Sequence, residues 1–249
     1  MNDHTKEIKK RIKEARGGEN SGFLDLSDMR LTELPPEVLE LTHLKDFYLE
    51  GNQLATLPEN FSRLENLEFL DLSENSLTTL PESFGQLMKL KELHLNDNQF
   101  TTLPYSICQL MKLKKLRLDD NQFTTLPDSL GQLVKLEILI LDDNQLTHIP
   151  NSVGALMNLK ELSLCNNSLT TLPDKIKELN SLHKLTLDEF QLLNLPAWVR
   201  DIKCLSIYKN GEEETSTRQG QTRRGHRVLA LFVGIGLAAL FLFLNNYFK

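Results

Sequence analysis

The sequence predicts a curved α/β solenoid whose short parallel strands line the concave side, followed by one transmembrane helix at the C-terminus. Two observations predict the solenoid: asparagine recurs every 23 residues, and leucines alternate with polar residues before each asparagine. A run of 17 apolar or glycine residues at 228–244 predicts the helix. A fixed period in the twenties is typical of a solenoid, in which each unit covers only its neighbours.

Each predicted unit consists of a strand, a turn and a return segment. The asparagines in register are Asn52, Asn75, Asn98, Asn121, Asn144 and Asn167. They stand in the frame L-x-x-[LF]-x-L-x-x-N-x-[LF]-x-x-[LI]-P, whose L-x-L part predicts a strand with inward leucines. A buried asparagine amide can satisfy backbone groups of adjacent turns, and the Leu-Pro pair begins a return segment with room for a turn or two of helix.

This frame resembles the leucine-rich repeat family over residues 22–207. The L-P-x-x-[IVLF]-x-x-L-x-x-L variant is similar to the intracellular class that includes Ras-pathway scaffolds, plant intracellular relatives and bacterial effectors. The resemblance implies a scaffold that binds proteins.

The two ends of the array depart from the frame. Met29 takes the asparagine position in the first repeat and Phe190 takes it in the last, as expected for terminal repeats. Residues 1–21 are predicted to be a helical cap with Ile8, Ile12 and Ala15 on its apolar face, and a membrane-surface helix is the alternative.

The residues after the array are predicted to tether it. Residues 208–227 are interpreted as a flexible linker, because the stretch from 210 to 227 has no apolar residue. The apolar run at 228–244 spans about 26 Å as a helix, slightly less than a bilayer core of about 30 Å. Arginines on its N-terminal flank predict that the repeats face the cytoplasm and that 245–249 form a short lumenal or external tail.

The whole arrangement resembles a tail-anchored protein, and a lipid-anchor attachment signal is the alternative. The short span favours an internal membrane such as the endoplasmic reticulum. Three widely spaced cysteines and the lack of an apolar N-terminal signal also indicate a reduced, cytosol-facing chain.

Charge is distributed unevenly along the chain. The formal net charge is −6, with +2 on residues 1–21 and +3 on 208–249, which leaves −11 on 22–207. An acidic body disfavours binding to nucleic acid, which depends on Lys and Arg, and it suits a basic partner.

No catalytic chemistry is evident in the sequence. None of the six histidines lies in H-x-x-x-H spacing, and there is no glycine-rich phosphate loop. The sequence therefore predicts no enzyme activity, cofactor, metal or small-molecule substrate. An enzyme built from scattered His and Cys residues is the remaining hypothesis of that class.

Strand alternation identifies a candidate protein-binding surface on the concave face. Its residues are Tyr48, Phe69, His94, Lys115, Arg117, Asp119, Ile138, Ile140 and Asp142. The apolar members predict two patches separated by a basic saddle, and the acids predict a rim, although acids also suit turns. The partner is expected to have a basic and apolar surface, and the convex face is the alternative binding surface.

Two functional hypotheses follow. The first is a non-enzymatic, membrane-anchored scaffold or adaptor that presents its concave face to the cytosol. The second is a secreted pathogen effector that targets a host membrane and binds a host regulator through its repeats.

Overall fold

The computed structural model describes residues 3–17, 21–202, 204–209 and 212–215. They form a curved solenoid on one ten-stranded sheet in which strand order follows chain order. The strands are β1 (Phe23–Asp25), β2 (Asp46–Tyr48), β3 (Phe69–Asp71), β4 (Glu92–His94), β5 (Lys115–Arg117), β6 (Ile138–Ile140), β7 (Glu161–Ser163), β8 (Lys184–Asp188), β9 (Leu205–Lys209) and β10 (Glu212–Thr215). Neighbours pair in parallel from β1 to β9, and β10 pairs antiparallel with β9.

Each unit returns through one short 3₁₀ helix that follows a proline. These helices are Pro36–Glu40, Glu59–Arg63, Glu82–Gln86, Tyr105–Gln109, Asp128–Gln132, Asn151–Ala155, Asp174–Glu178 and Ala197–Asp201. A proline precedes each of them at the N-cap, where its fixed φ begins a helix without the loss of a needed donor.

The core is a continuous stack of repeat-equivalent side chains. The frame leucines of the central repeats, such as Leu93, Leu116 and Leu139, are fully buried. Phenylalanines stack between repeats, with ring centroids 6.0 Å apart for Phe61 and Phe84. Each repeat therefore seals the apolar face of the next, as a solenoid requires.

The asparagine ladder joins consecutive turns by hydrogen bonds. The side-chain nitrogen of Asn121 donates to the carbonyls of Leu95, Leu118 and Asp119 at 2.9, 3.2 and 3.1 Å. Its side-chain oxygen accepts from the backbone N–H of Phe100 at 3.0 Å. The other five asparagines of the ladder repeat this pattern.

Helix α1 (Asp3–Gly17) covers the first repeat. Ile12 and Ala15 are buried against the array. The Arg11 side chain donates to the backbone carbonyl of Asp25 at 2.9 Å, and the His43 ring bonds the carbonyl of Ala15 at 2.8 Å. The apolar face of α1 therefore packs against protein.

The last repeat replaces the missing asparagine in a way that the sequence did not suggest. Phe190, at the asparagine position, is 73% exposed and lies in the first turn of the short helix α2 (Glu189–Asn194). Gln191 is buried instead, and its side chain donates to the carbonyl of Leu164 at 2.7 Å. Gln191, one residue later, therefore donates to the Leu164 carbonyl, which an asparagine at position 190 would otherwise have bonded.

The C-terminal boundary differs from the expected linker at 208–227. The sheet continues through Lys209 in β9 and adds β10, so part of that segment is a strand. The polar composition of 212–215 hid this strand, although Asn210-Gly211 is a sequence signal typical of a hairpin. The predicted helix at 228–244 and the tail at 245–249 lie outside the described residues. Among the residues that are described, no helix has the length and apolarity to cross a bilayer.

Candidate functional site

Four ring-bearing side chains form a row across the first four strands of the concave face. The row consists of Phe23, Tyr48, Phe69 and His94. Successive ring centroids lie 5.3, 4.7 and 5.2 Å apart. Phe23 is 44% exposed, Tyr48 and Phe69 are partly buried, and the His94 side chain is 13% exposed, so the row is most open to solvent at its Phe23 end.

Carboxylates fill the remaining outward positions of the same four strands. The carboxylate row consists of Asp25, Asp46, Asp71 and Glu92. Each strand contributes one ring and one carboxylate, and their order reverses from strand to strand. Rings and carboxylates therefore alternate both along each strand and from one strand to the next.

The carboxylate row surrounds the Tyr48 hydroxyl, although three of its four members also have basic partners: Asp25 lies 3.8 Å from Arg11, Asp71 lies 3.1 Å from His94, and Glu92 lies 3.9 Å from Lys115. Burial raises the pKa of the Tyr48 hydroxyl, and the four nearby carboxylates raise it further because they repel a phenolate. Asp71 is held ionised: burial alone would raise its pKa, but hydrogen bonds from His94 and Ser73 outweigh burial and lower it. The His94 ring donates to Asp71 over 3.1 Å.

The predicted basic saddle is charge-balanced in the structure. His94 faces Asp71, Lys115 lies 3.9 Å from Glu92, and Arg117 makes two contacts with Asp119 at 3.1 and 2.7 Å. The sequence interpretation missed the His94 and Lys115 pairs because their partners lie one repeat earlier in the chain. It missed the Arg117 pair because Asp119 occupies a different concave position of the same repeat.

Two predicted rim acids have internal partners. Asp119 is 7% exposed and holds the Arg117 guanidinium. Asp142 accepts from the Ser163 hydroxyl at 2.7 Å and from the backbone N–H of Cys165 at 2.6 Å. Both carboxylates therefore have partners within the repeats, and their contact with a protein partner remains a prediction.

The second predicted apolar patch is present on β6. Ile138 and Ile140 are half-buried and flank the buried Leu139, so both lie on the concave side. Lys115 and Arg117 are their neighbours on β5, and Glu161 and Ser163 are their neighbours on β7. Ile138 and Ile140 are therefore separated from the aromatic row by the charge-balanced strand β5.

The acids immediately before the ladder asparagines serve the backbone. Residues at this position have positive φ in seven consecutive repeats, before Met29 and before each of the six ladder asparagines: Asp28, Gly51, Glu74, Asp97, Asp120, Asp143 and Asn166. Asp and Asn tolerate this left-handed conformation better than most residues. Their recurrence is therefore explained by the turn, and a partner is not needed to account for it.

Stacking these acids one repeat apart has an electrostatic consequence. Burial and the neighbouring Asp143, Asp97 and Asp119 raise the pKa of Asp120 to about 6. Because the folded-state pKa exceeds the ordinary value of about 3.9, this group stabilises the fold when protonated, and its contribution is lost as pH rises from about 4 to 6.

We expect Asp120→Asn to raise the melting temperature at pH 7 and to have little effect at pH 4.5. Asn166 shows that asparagine adopts this turn, with φ of 52° in this chain. Thermal melts of both proteins across this pH range check the prediction. An equal shift at both pH values would show that charge repulsion is not the cause.

Two aspects of the site were missed from sequence alone. Phe23 belongs to the first repeat, 23 residues before Asp46, and extending the strand alignment back by one repeat would have found it. The carboxylate row was visible as separate residues, but its alternation with the rings appears only when strands are placed side by side. Among the described residues, no group of three or more His, Cys, Asp or Glu side chains is placed to hold a metal ion.

Comparison with known families agrees with this architecture. A model described as leucine-rich repeat region matches residues 59–147 and 103–206, and a leucine rich repeat model matches residues 23–77. The chain belongs to the leucine-rich repeat family. No curated protein matches it in sequence.

Solved structures show the same fold. A leucine-rich repeat protein of Leptospira interrogans is 27% identical, with a TM-score of 0.54 over 81% of this chain and 68% of that one. The plant peptide hormone receptor RGFR1 in complex with RGF2 is 32% identical, with a TM-score of 0.55 over 63% of this chain and 27% of the receptor. The leucine-rich repeat domain of the type III effector XopL is 24% identical, with a TM-score of 0.67 over 79% of this chain and 78% of that domain.

Proposed function

We propose that this chain is a non-enzymatic scaffold that binds a protein partner on its concave face. The observation that carries the proposal is the alternation of rings and carboxylates across β1 to β4. A surface that only solvates the sheet has no need for four rings in contact on its concave side.

The chemistry of this surface selects a basic and apolar partner segment. An arginine or lysine side chain can lie over Tyr48 or Phe69, where the ring face and the adjacent carboxylates both favour a cation. Apolar side chains of the same segment can cover Phe23. The plant receptor similar to this chain was solved with the peptide hormone RGF2, which supports a peptide or protein as the occupant.

Ile138 and Ile140 would provide a second, purely apolar contact. A partner that reaches them from the aromatic row must cross the paired charges of Lys115 and Arg117. Paired charges at an interface contribute more to orientation than to affinity.

We expect Tyr48→Ala combined with Phe69→Ala to weaken binding of a captured partner by more than about 1 kcal/mol, roughly fivefold or more, because central aromatic anchors dominate interface energy. Ile138→Ala combined with Ile140→Ala should have an effect of the same order. The partner is identified by pull-down with mass spectrometry, and affinities are then measured by calorimetry.

Tyr105→Ala is the matched control, because Tyr105 is a 59% exposed tyrosine on the outer 3₁₀ side. It should bind the partner with unchanged affinity. Normal binding by both concave variants, together with weakened binding by Tyr105→Ala, would assign binding to the outer face.

We also propose that residues 228–244 anchor the repeats to the cytoplasmic side of an internal membrane. The proposal is supported by the uninterrupted apolar run and its flanking arginines in the sequence. Deleting 228–249 is expected to move the protein from the membrane fraction to the soluble fraction. Continued sedimentation of the truncated chain with membranes in high salt, which screens surface charges, or protection of the repeats from protease in sealed vesicles, would contradict the anchor or its orientation.

A further inference from the structure

A row of exposed apolar side chains runs along the edge of the solenoid where the strands begin. It occupies the same turn position in four consecutive repeats, with Met88, Met111, Val134 and Met157 exposed by 53, 43, 44 and 49%. The equivalent positions on either side, Glu65 and Asn180, are polar. The apolar row is therefore confined to these four repeats, over a length of about 15 Å at the spacing of parallel strands.

Lysines accompany this row. The four turn segments read MKLK, MKLK, VKLE and MNLK, at 88–91, 111–114, 134–137 and 157–160, and contain six lysines and one glutamate. At the opposite edge, where the strands end, the corresponding pairs are ND, DD, DD and CN, with five aspartates and no basic residue. These four repeats thus place lysines at one edge and aspartates at the other, which the net charge of −11 on residues 22–207 conceals.

The lysines nearest the apolar row are free to meet a ligand. Within the described residues, Lys112 and Lys135 form no ion pair, and Lys89 bonds only the uncharged side chain of Asn66. The second lysines of these turns are paired instead: Lys91 with Glu68, and Lys114 and Lys160 with Glu137. We define the basic rim as Met88, Lys89, Met111, Lys112, Val134, Lys135 and Met157.

We propose that the basic rim docks on the surface of an anionic lipid bilayer. Its Met and Val side chains would enter the boundary between headgroups and acyl chains, while the lysine ammonium groups contact anionic headgroups. Protruding apolar side chains flanked by lysines are the features by which peripheral segments bind such surfaces.

The shape of the rim favours lipid over an acidic protein segment. A partner helix would place its own anchors into a groove. Here the apolar side chains stand on turns, and Met88 and Met111 line only a shallow, open depression together with Gly85, Gln86, Gln109 and Gln132. A bilayer accepts projecting side chains without a preformed complementary pocket.

Docking in this way leaves the proposed partner site accessible. Each strand runs from the basic rim to the acidic edge, so the strands would stand upright on the bilayer with the acidic edge outermost. The concave face would then open sideways. This inference is independent of the concave-face proposal, since it uses other residues and another ligand.

The test uses the full-length chain with an environment-sensitive NBD fluorophore at one of two positions. Met111→Cys places it on the basic rim, and Gln122→Cys places it at an exposed position beyond the other end of the same strand. Both variants carry Cys204→Ser, because Cys108 and Cys165 are buried. Vesicles contain phosphatidylcholine with or without phosphatidylserine, and brominated acyl chains act as the quencher.

With phosphatidylserine present, we expect a blue shift and quenching of the label at 111, and neither at 122. A C-terminal anchor alone would bring both labels near the membrane without inserting either, so the difference between them isolates the rim. Lys89→Glu, Lys112→Glu and Lys135→Glu together should abolish the quenching at 111, and high salt should reduce it. If the triple glutamate variant fails to fold, glutamine at the same three positions replaces it. The glutamine variant should weaken the quenching at 111.

Three results would overturn the proposal. Equal quenching at 111 and 122, or none at either, would show that the rim does not enter the bilayer. Quenching at 111 that persists without phosphatidylserine and in the glutamate variant would show that the lysines have no role. A change in the fluorescence of the label at 111 on addition of soluble poly-glutamate, with no quenching at 111 by brominated acyl chains, would identify an acidic protein as the ligand of this edge.

Discussion

Replacing Leu116 by alanine is expected to lower the free energy of unfolding by about 2–5 kcal/mol. Leu116 is fully buried in β5, the central strand of the array, between the equally buried Leu93 and Leu139. Removing its side chain leaves a cavity that rigid neighbouring repeats on both sides cannot fill. Urea unfolding monitored by circular dichroism measures the change.

Lys115→Ala is the matched control on the same strand. Lys115 points to the concave side, where it is half-buried and lies 3.9 Å from Glu92. Its loss should change stability by no more than about 0.5 kcal/mol. Equal destabilisation by the two substitutions would contradict the assignment of inward and outward positions.

Asn121→Ala is expected to cost about 1–3 kcal/mol for a different reason. The substitution removes a donor shared by three backbone carbonyls and an acceptor for the N–H of Phe100. Asn121 is 8% exposed, so water cannot readily replace these partners. The backbone groups left unpaired belong to two adjacent repeats, so both repeats should lose stability.

Gln122→Ala provides the comparison for this prediction, because its side chain is exposed one residue further along. It should leave the unfolding midpoint nearly unchanged. Amide hydrogen exchange should show faster exchange at Phe100 in Asn121→Ala and not in Gln122→Ala. Unchanged exchange at Phe100 would mean that the asparagine is not what holds these turns together.

The repeat fold was predictable because each element depends on a local pattern that recurs. Leucine alternation fixes which face of a strand is buried. Each ladder asparagine follows the strand leucines of its repeat at the same spacing in sequence. The replacement of an asparagine by Gln191 was not predictable in the same way. It depends on helix α2 bringing a longer amide to the carbonyl of Leu164, which requires the three-dimensional path of the last repeat.

The candidate site was predictable only in part, because partners across strands are 21–23 residues apart in sequence. Alternation placed Tyr48, Phe69 and the two isoleucines on the concave side. It could not show that Asp142 bonds Ser163, or that Asp71 faces His94. The separation of lysines and aspartates onto opposite edges was hidden for the same reason, since both alternate closely along the chain.

Photo-crosslinking from two matched tyrosine positions tests the central claim most directly. A benzoylphenylalanine residue replaces Tyr48 on the concave face in one chain and Tyr105 on the outer face in another. Concave binding predicts that the partner is crosslinked from position 48 and not from position 105. Crosslinking from position 105 alone would contradict the assignment of the concave face as the binding surface.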